Sequence, residues 1–121
     1  MNTWLAVFIG GGMGSILRLA ISRALLLLPV SVFPWATLVS NVSASVVLAI
    51  FTLRWQHSVH DADLLRSFIA IGFCGGLSTF STFSYENFIL VRSGLHHFAI
   101  ANIVISVLLC LLVLFLFARS A

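Results

Sequence analysis

GFCGGLSTFSTFSYE, residues 72–86, lies inside an apolar segment of membrane-crossing length, yet it carries three glycines, five serines and threonines, and an acid. Gly75 and Gly76, followed by Ser78, Thr79, Ser81, Thr82 and Ser84, make a poor helix centre. Glycine adds backbone freedom, and short hydroxyl side chains compete for backbone hydrogen bonds. At membrane depth, non-helical backbone persists only where protein or a water-filled cavity satisfies its N–H and C=O groups. One reading is therefore a third helix broken at mid-membrane, with backbone groups free to hold an ion. The other is close packing: Gly72 and Gly76 form a small-xxx-small pair, as Gly10 and Gly14 do in the first apolar stretch.

The rest of the chain supplies the frame. At 121 residues, 61% hydrophobic and 7% charged, it has too little polar surface for a water-soluble domain. Apolar stretches at about 3–28, 34–55, 64–92 and 95–118 can each cross about 30 Å of hydrocarbon. The expected fold is all-α and integral to the membrane, a single domain over 1–121 with four transmembrane helices and the lipid bilayer as solvent. No basic region precedes the first stretch and Arg18 interrupts it, which argues for a retained anchor. Cys74 and Cys110 both fall in predicted spans and read as small apolar filler. The net charge of +3 comes from scattered arginines, so nucleic acid is not an expected partner. His57, His60, His96 and His97 fall in short loops without metal-ligand spacing. Asp61 or Asp63 is a candidate cap for the third helix.

With four spans, Arg54, Arg66 and Arg119 lie on the side of both termini, Arg23 and Arg92 on the other, and Arg18 deeper. This near balance permits insertion in both orientations. Trp4, Trp35 and Trp55 fall at predicted span ends, where an aromatic belt is expected.

Phe80 and Phe83, three apart, share a helix face and offer the positive edges of their rings; Glu86 continues that face. An acid inside a span is costly and marks a functional candidate. Thr37, Asn41 and Ser45 form an i, i+4, i+8 stripe on the second helix, and Asn102, Ser106 and Cys110 repeat it on the fourth. Interhelical hydrogen bonding is one reading of the stripes. The other is an anion path built from donors without a fixed positive charge, which strips an ion but lets it leave.

At these residues the chain resembles the fluoride channel family, Fluc or CrcB. The resemblance runs through GGGMGSILR (10–18), TLVSN (37–41) and GFCGGLSTFSTFSYE (72–86), with a fourth span of suitable length. It implies a dual-topology homodimer of antiparallel four-helix subunits, in which a second copy of the chain is the partner and fluoride the permeant ion. Asn41 then matches the pore asparagine, Phe80 and Phe83 the ring-edge pair, and Asn102, Ser106 and Cys110 the fourth-helix polar track. Glu86 matches the pore acid. Thr37, Ser81 and Thr82 are added to the expected fluoride path, and Arg18 is expected near an aqueous vestibule. The backbone carbonyls of Gly75 and Ser78 match those holding a structural, non-transported sodium ion at the dimer centre.

The sequence departs from the family pattern at Ala36, Ser40, Ser43, Ala44 and Ser45 in the second helix and at Asn102 and Cys110 in the fourth. A partner subunit of a heteromeric channel is thus an alternative, as is a small proton-coupled exporter, although exporters of that kind use a first-helix acid that this chain lacks. The expectation is a passive, non-enzymatic channel in a bacterial inner membrane, exporting fluoride that enters as HF and is trapped as the anion.

Overall fold

In the computed structural model, which describes residues 2–29, 31–55, 57, 60 and 62–120, Asn2 caps α1 (Thr3–Leu25). Its Oδ1 accepts from the Leu5 N–H at 2.8 Å, satisfying one of the first-turn N–H groups that have no helical acceptor. The N–H groups of Leu26, Leu27 and Leu28 then close tight turns on Ser22, Ala24 and Leu25. Pro29 follows and disfavours helix in the residue before it, so α1 ends short of the expected residue 28. Helix α2 (Trp35–Ile50) begins immediately after Pro34 and widens into a π-helical segment, Phe51–Trp55.

The third span is composite. It comprises α3 (Ala62–Arg66), a π-helical segment Ser67–Cys74, α4 (Gly75–Leu77), two extended residues, and α5 (Phe80–Arg92). Asp63 lies inside the first turn of α3 and does not cap it; Asp61 lies outside the described residues. Helix α5 ends in a Schellman turn: Gly94 takes φ 78°, its N–H reaches the Val91 carbonyl, and the Leu95 N–H reaches Leu90 at 2.8 Å. Glycine suits that left-handed position, and α6 (His96–Ser120) folds straight back. Thr3–Leu25, Trp35–Trp55, Ala62–Arg92 and His96–Ser120 are four helical stretches long and apolar enough to cross a membrane.

Glycines decide how α1 meets the third span. A methyl group on Gly10 would overlap the Phe68 carbonyl oxygen, and one on Gly14 the Phe73 carbonyl oxygen. From the other side, a methyl on Gly76 would overlap the Gly11 carbonyl, and one on Gly72 would press on the Val7 oxygen at 3.0 Å. The two backbones are therefore in direct contact, as small-xxx-small pairs permit. Gly75 differs: it is exposed, and a methyl there meets nothing within 4 Å.

Beneath this seam, Ala44 of α2 packs on Cys74 and Leu77 of the third span, with Ile21, Val47, Leu48, Ile69 and Phe73 around them. α2 lies along α6, and α5 packs on α6 as well. At the end of the pair formed by the second and fourth spans, Arg54 donates to Ser120 Oγ at 2.7 Å and lies over the Phe117 ring. Trp4, Trp35 and Trp55 are exposed near span ends, as amphipathic rings at a membrane interface require.

Candidate functional site

Ser78 and Thr79 separate α4 from α5 with extended dihedrals, φ −81° and ψ 156° for Ser78, φ −152° and ψ 118° for Thr79. Side chains replace the helical bonds lost there. Asn41 Oδ1 accepts from the Thr79 N–H at 2.8 Å, and Asn41 Nδ2 lies 3.4 Å from the Thr79 carbonyl. Thr79 Oγ1 accepts from the Thr82 N–H at 3.2 Å, capping α5. Arg18 donates through Nε to the Gly76 carbonyl at 3.1 Å.

These substitutions leave particular carbonyls without their usual donors. In a continuous helix, Thr79 N–H would bond Gly75 and Thr82 N–H would bond Ser78. Both N–H groups are instead taken by side-chain oxygens. The carbonyls of Gly75 and Ser78 thus lack helical donors, and no side chain crowds Gly75. Neutral backbone oxygens of this kind suit a hard cation such as sodium. Among the described residues, no cluster of His, Cys, Asp or Glu side chains is arranged to hold a metal.

Beside the interruption runs a groove of about 370 Å³, lined by Asn41 and Ser45 of α2, Ser78, Thr79, Phe80 and Phe83 of the third span, and Ser106, Val107, Cys110 and Leu111 of α6. Thus Asn41, Phe80, Phe83, Ser106 and Cys110, singled out separately in the sequence, are brought together. The Phe80 and Phe83 rings lie 5.9 Å apart at an interplanar angle of 39°. Phe83 is buried, whereas Phe80 is 79% exposed and faces away from the chain's own core. Among the described residues, no charged side chain lines the groove.

The other expected site residues sit apart. Thr37 donates to Glu86 Oε1 at 2.5 Å; the second carboxyl oxygen, Oε2, is buried without a hydrogen-bond partner among the described residues. Glu86 borders a separate cleft with Val32, Pro34, Tyr85, Ile89 and Leu90. Thr82 is half-buried and serves the α5 cap through its N–H, while Ser81 is exposed and its Oγ lies 3.4 Å from Thr79 Oγ1. Asn102 is 1% exposed and lies behind the groove. Arg18, expected near a vestibule, is half-buried against the interruption.

Sequence reasoning passed over Asn87. It is buried beside Asn102, donates through Nδ2 to the Phe83 carbonyl at 3.0 Å, and accepts from Asn102 Nδ2 at 2.9 Å. Ser106 Oγ in turn donates to Asn102 Oδ1 at 3.1 Å. An amide among the apolar residues of α5, one turn after Phe83, was the available signal. Ser40, noted in the sequence as a departure from the family pattern, is 0% exposed, and its hydroxyl has no hydrogen-bond partner among the described residues.

Residues 5–118 match the family described as CrcB-like protein, Camphor Resistance (CrcB). Among curated relatives, a protein of Pyrococcus abyssi named "Fluoride-specific ion channel FluC" is 42% identical over 117 residues, covering 96% of this chain and 93% of the relative. Proteins of the same name from Coxiella burnetii and Shewanella frigidimarina are each 37% identical, over 88% and 96% of this chain and 87% and 93% of theirs. A helical fold with four membrane-length spans, matched over nearly its whole length in this way, belongs to the CrcB-like family of multi-pass membrane proteins.

Proposed function

We propose that this chain forms a fluoride-selective passive channel. The observation that carries this reading is the groove: Asn41, two phenylalanine rings, Ser106 and Cys110 converge there with no charged side chain among the described lining residues. The names of the relatives supply the ion. A dehydrating fluoride ion needs hydrogen-bond donors in place of water, but a full positive charge would hold it too tightly for rapid exit. The Asn41 amide and the ring edges of Phe80 and Phe83 meet both conditions. Thr37, Ser81, Thr82, Glu86 and Asn102 extend the path or support its walls. The process is diffusion down a gradient, with no chemical step.

The break between α4 and α5 is read as the centre of an antiparallel dimer of identical chains. Exposure of Gly75 and Phe80 supports this, because both face outward from a single copy. The carbonyls of Gly75 and Ser78, with those of the second copy, would hold a structural sodium ion whose charge fixes the carbonyl dipoles in place. The proposed setting is the inner membrane of a bacterium, where such a channel releases fluoride that entered as HF. A heteromeric channel is the second reading, favoured by the same outward-facing surface, which a homologous chain can also cover.

Efflux from liposomes containing the purified chain alone tests the proposal. Fluoride loaded inside should escape rapidly on addition of an ionophore that dissipates the charge, and chloride should stay. Efflux that appears only after a homologous chain is added would assign the heteromer. Fluoride movement that needs a proton gradient would assign an exporter.

A further inference from the structure

We infer that Asn87 is a positioning residue that sets which way the groove hydroxyl of Ser106 points, and thereby limits how readily the groove accepts an anion. This inference rests on the channel reading above.

The direction of every bond in the network follows from its anchor. The Phe83 carbonyl can only accept, so the Asn87 amide must turn its Nδ2 toward it. Asn87 then presents Oδ1 to Asn102, which must answer with Nδ2. Asn102 is left with Oδ1 facing Ser106, and the Ser106 proton is drawn to it. Ser106 lines the groove, but with its O–H directed into the wall it offers the groove only lone pairs. An anion arriving there meets an acceptor.

The other groove serines are bound differently. Ser45 donates to the Asn41 carbonyl at 3.0 Å and Ser78 to the Cys74 carbonyl at 2.7 Å. Backbone carbonyls cannot exchange roles, whereas a primary amide can turn over and offer N–H in place of oxygen. Ser106 is therefore the groove serine whose hydroxyl is held by a reversible partner, and Asn87 is what keeps that partner from reversing. With Asn87 removed, Asn102 is free to present Nδ2 to Ser106 Oγ, which turns the Ser106 proton into the groove.

The test is a double-mutant cycle on fluoride efflux from liposomes. Asn87→Ala, or the closer-packed Asn87→Leu, should raise the efflux rate by about two- to tenfold, the range set by one net hydrogen bond. The fluoride concentration at half-saturation should fall in parallel. In a Ser106→Ala background, the same Asn87 substitutions should give no gain. A purely structural role for Asn87 would lower efflux in both backgrounds. Efflux that is unchanged or reduced by both Asn87 variants, or a gain that persists without the Ser106 hydroxyl, overturns the inference. Should neither variant fold, the unaltered chain still decides. With the network held by Asn87, saturating fluoride should leave the Asn102 side-chain amide as a single set of signals in nitrogen-15 spectra, and a second set that grows with fluoride, from a reversed Asn102 amide, overturns the inference. If the unaltered chain conducts no fluoride at all, the channel reading itself fails; if it conducts but the coupling is missing, only the role of Asn87 does.

Discussion

Asn41 has two tasks at one position. Its oxygen satisfies the Thr79 N–H inside the interruption, while its amide nitrogen is only weakly engaged and lies on the groove. Substitutions separate the tasks. Asn41→Ala leaves a backbone N–H without its acceptor, at about 1–3 kcal/mol, so both thermal stability in detergent and fluoride efflux should fall. Asn41→Asp keeps an oxygen for Thr79 but replaces the donor with negative charge. It should retain much of the stability and lose nearly all efflux. Equal stability losses in the two variants would show that the oxygen does not hold the interruption. Thr37 admits a parallel comparison. Thr37→Val strips the Glu86 side chain of the hydrogen bond it accepts from Thr37 and should lower the melting midpoint, whereas Thr37→Ser should restore it.

At the scale of elements, the contact between α1 and the third span depends on having no side chains at Gly10 and Gly14. Gly10→Ala and Gly14→Ala should force two backbones apart, and the yield of monodisperse protein should drop sharply. Gly12→Ala adds a methyl with no atom beyond its own helix turn within 4 Å and is the matched control. A normal yield for all three would mean that the helices slide apart without cost. The spans themselves were legible in the sequence, because about twenty apolar residues have few other fates. The packing reading of the 72–86 glycines holds for Gly72 and Gly76, which meet α1, and not for Gly75, which is open. Spacing could not separate them, since adjacent glycines 75 and 76 differ only in which helix face they occupy. Periodicity also brought Asn41, Phe80, Phe83, Ser106 and Cys110 forward, each by its own stripe. It could not show that Glu86 turns to Thr37, or that Asn87 stands behind the groove, because hydrogen-bond partners across helices leave no mark on the spacing within one.

For the whole molecule, the proposed antiparallel pairing makes a topological prediction. In a population of cells, a tag at the C-terminus should be reachable from both faces of the membrane in similar amounts. Modification from one face alone, in the absence of any oppositely oriented homologue, would exclude the pairing. Replacing sodium on both sides with a bulky organic cation should reduce efflux without changing selectivity, if the carbonyls of Gly75 and Ser78 need that ion to stay in place.

The π-helical segment Ser67–Cys74 bears on how this chain tolerates changes in length. Wide turns of this kind are often found at functional sites, and they fix the angle at which the following residues emerge. A π-helical turn holds about one residue more than the α-helical turn it replaces, so deleting one residue from this segment lets the backbone rewind as ordinary α-helix while the residues after it keep nearly the same face toward α1. In the regular α1, by contrast, one missing residue turns everything after it by about 100°, and loss of Ile16 would carry Arg18 away from the Gly76 carbonyl. Loss of Ile69 or Ile71 should therefore cost less monodisperse protein than loss of Ile16, and equal losses would show that the wide turns take up no slack. Along this stretch the chain has a residue to spare.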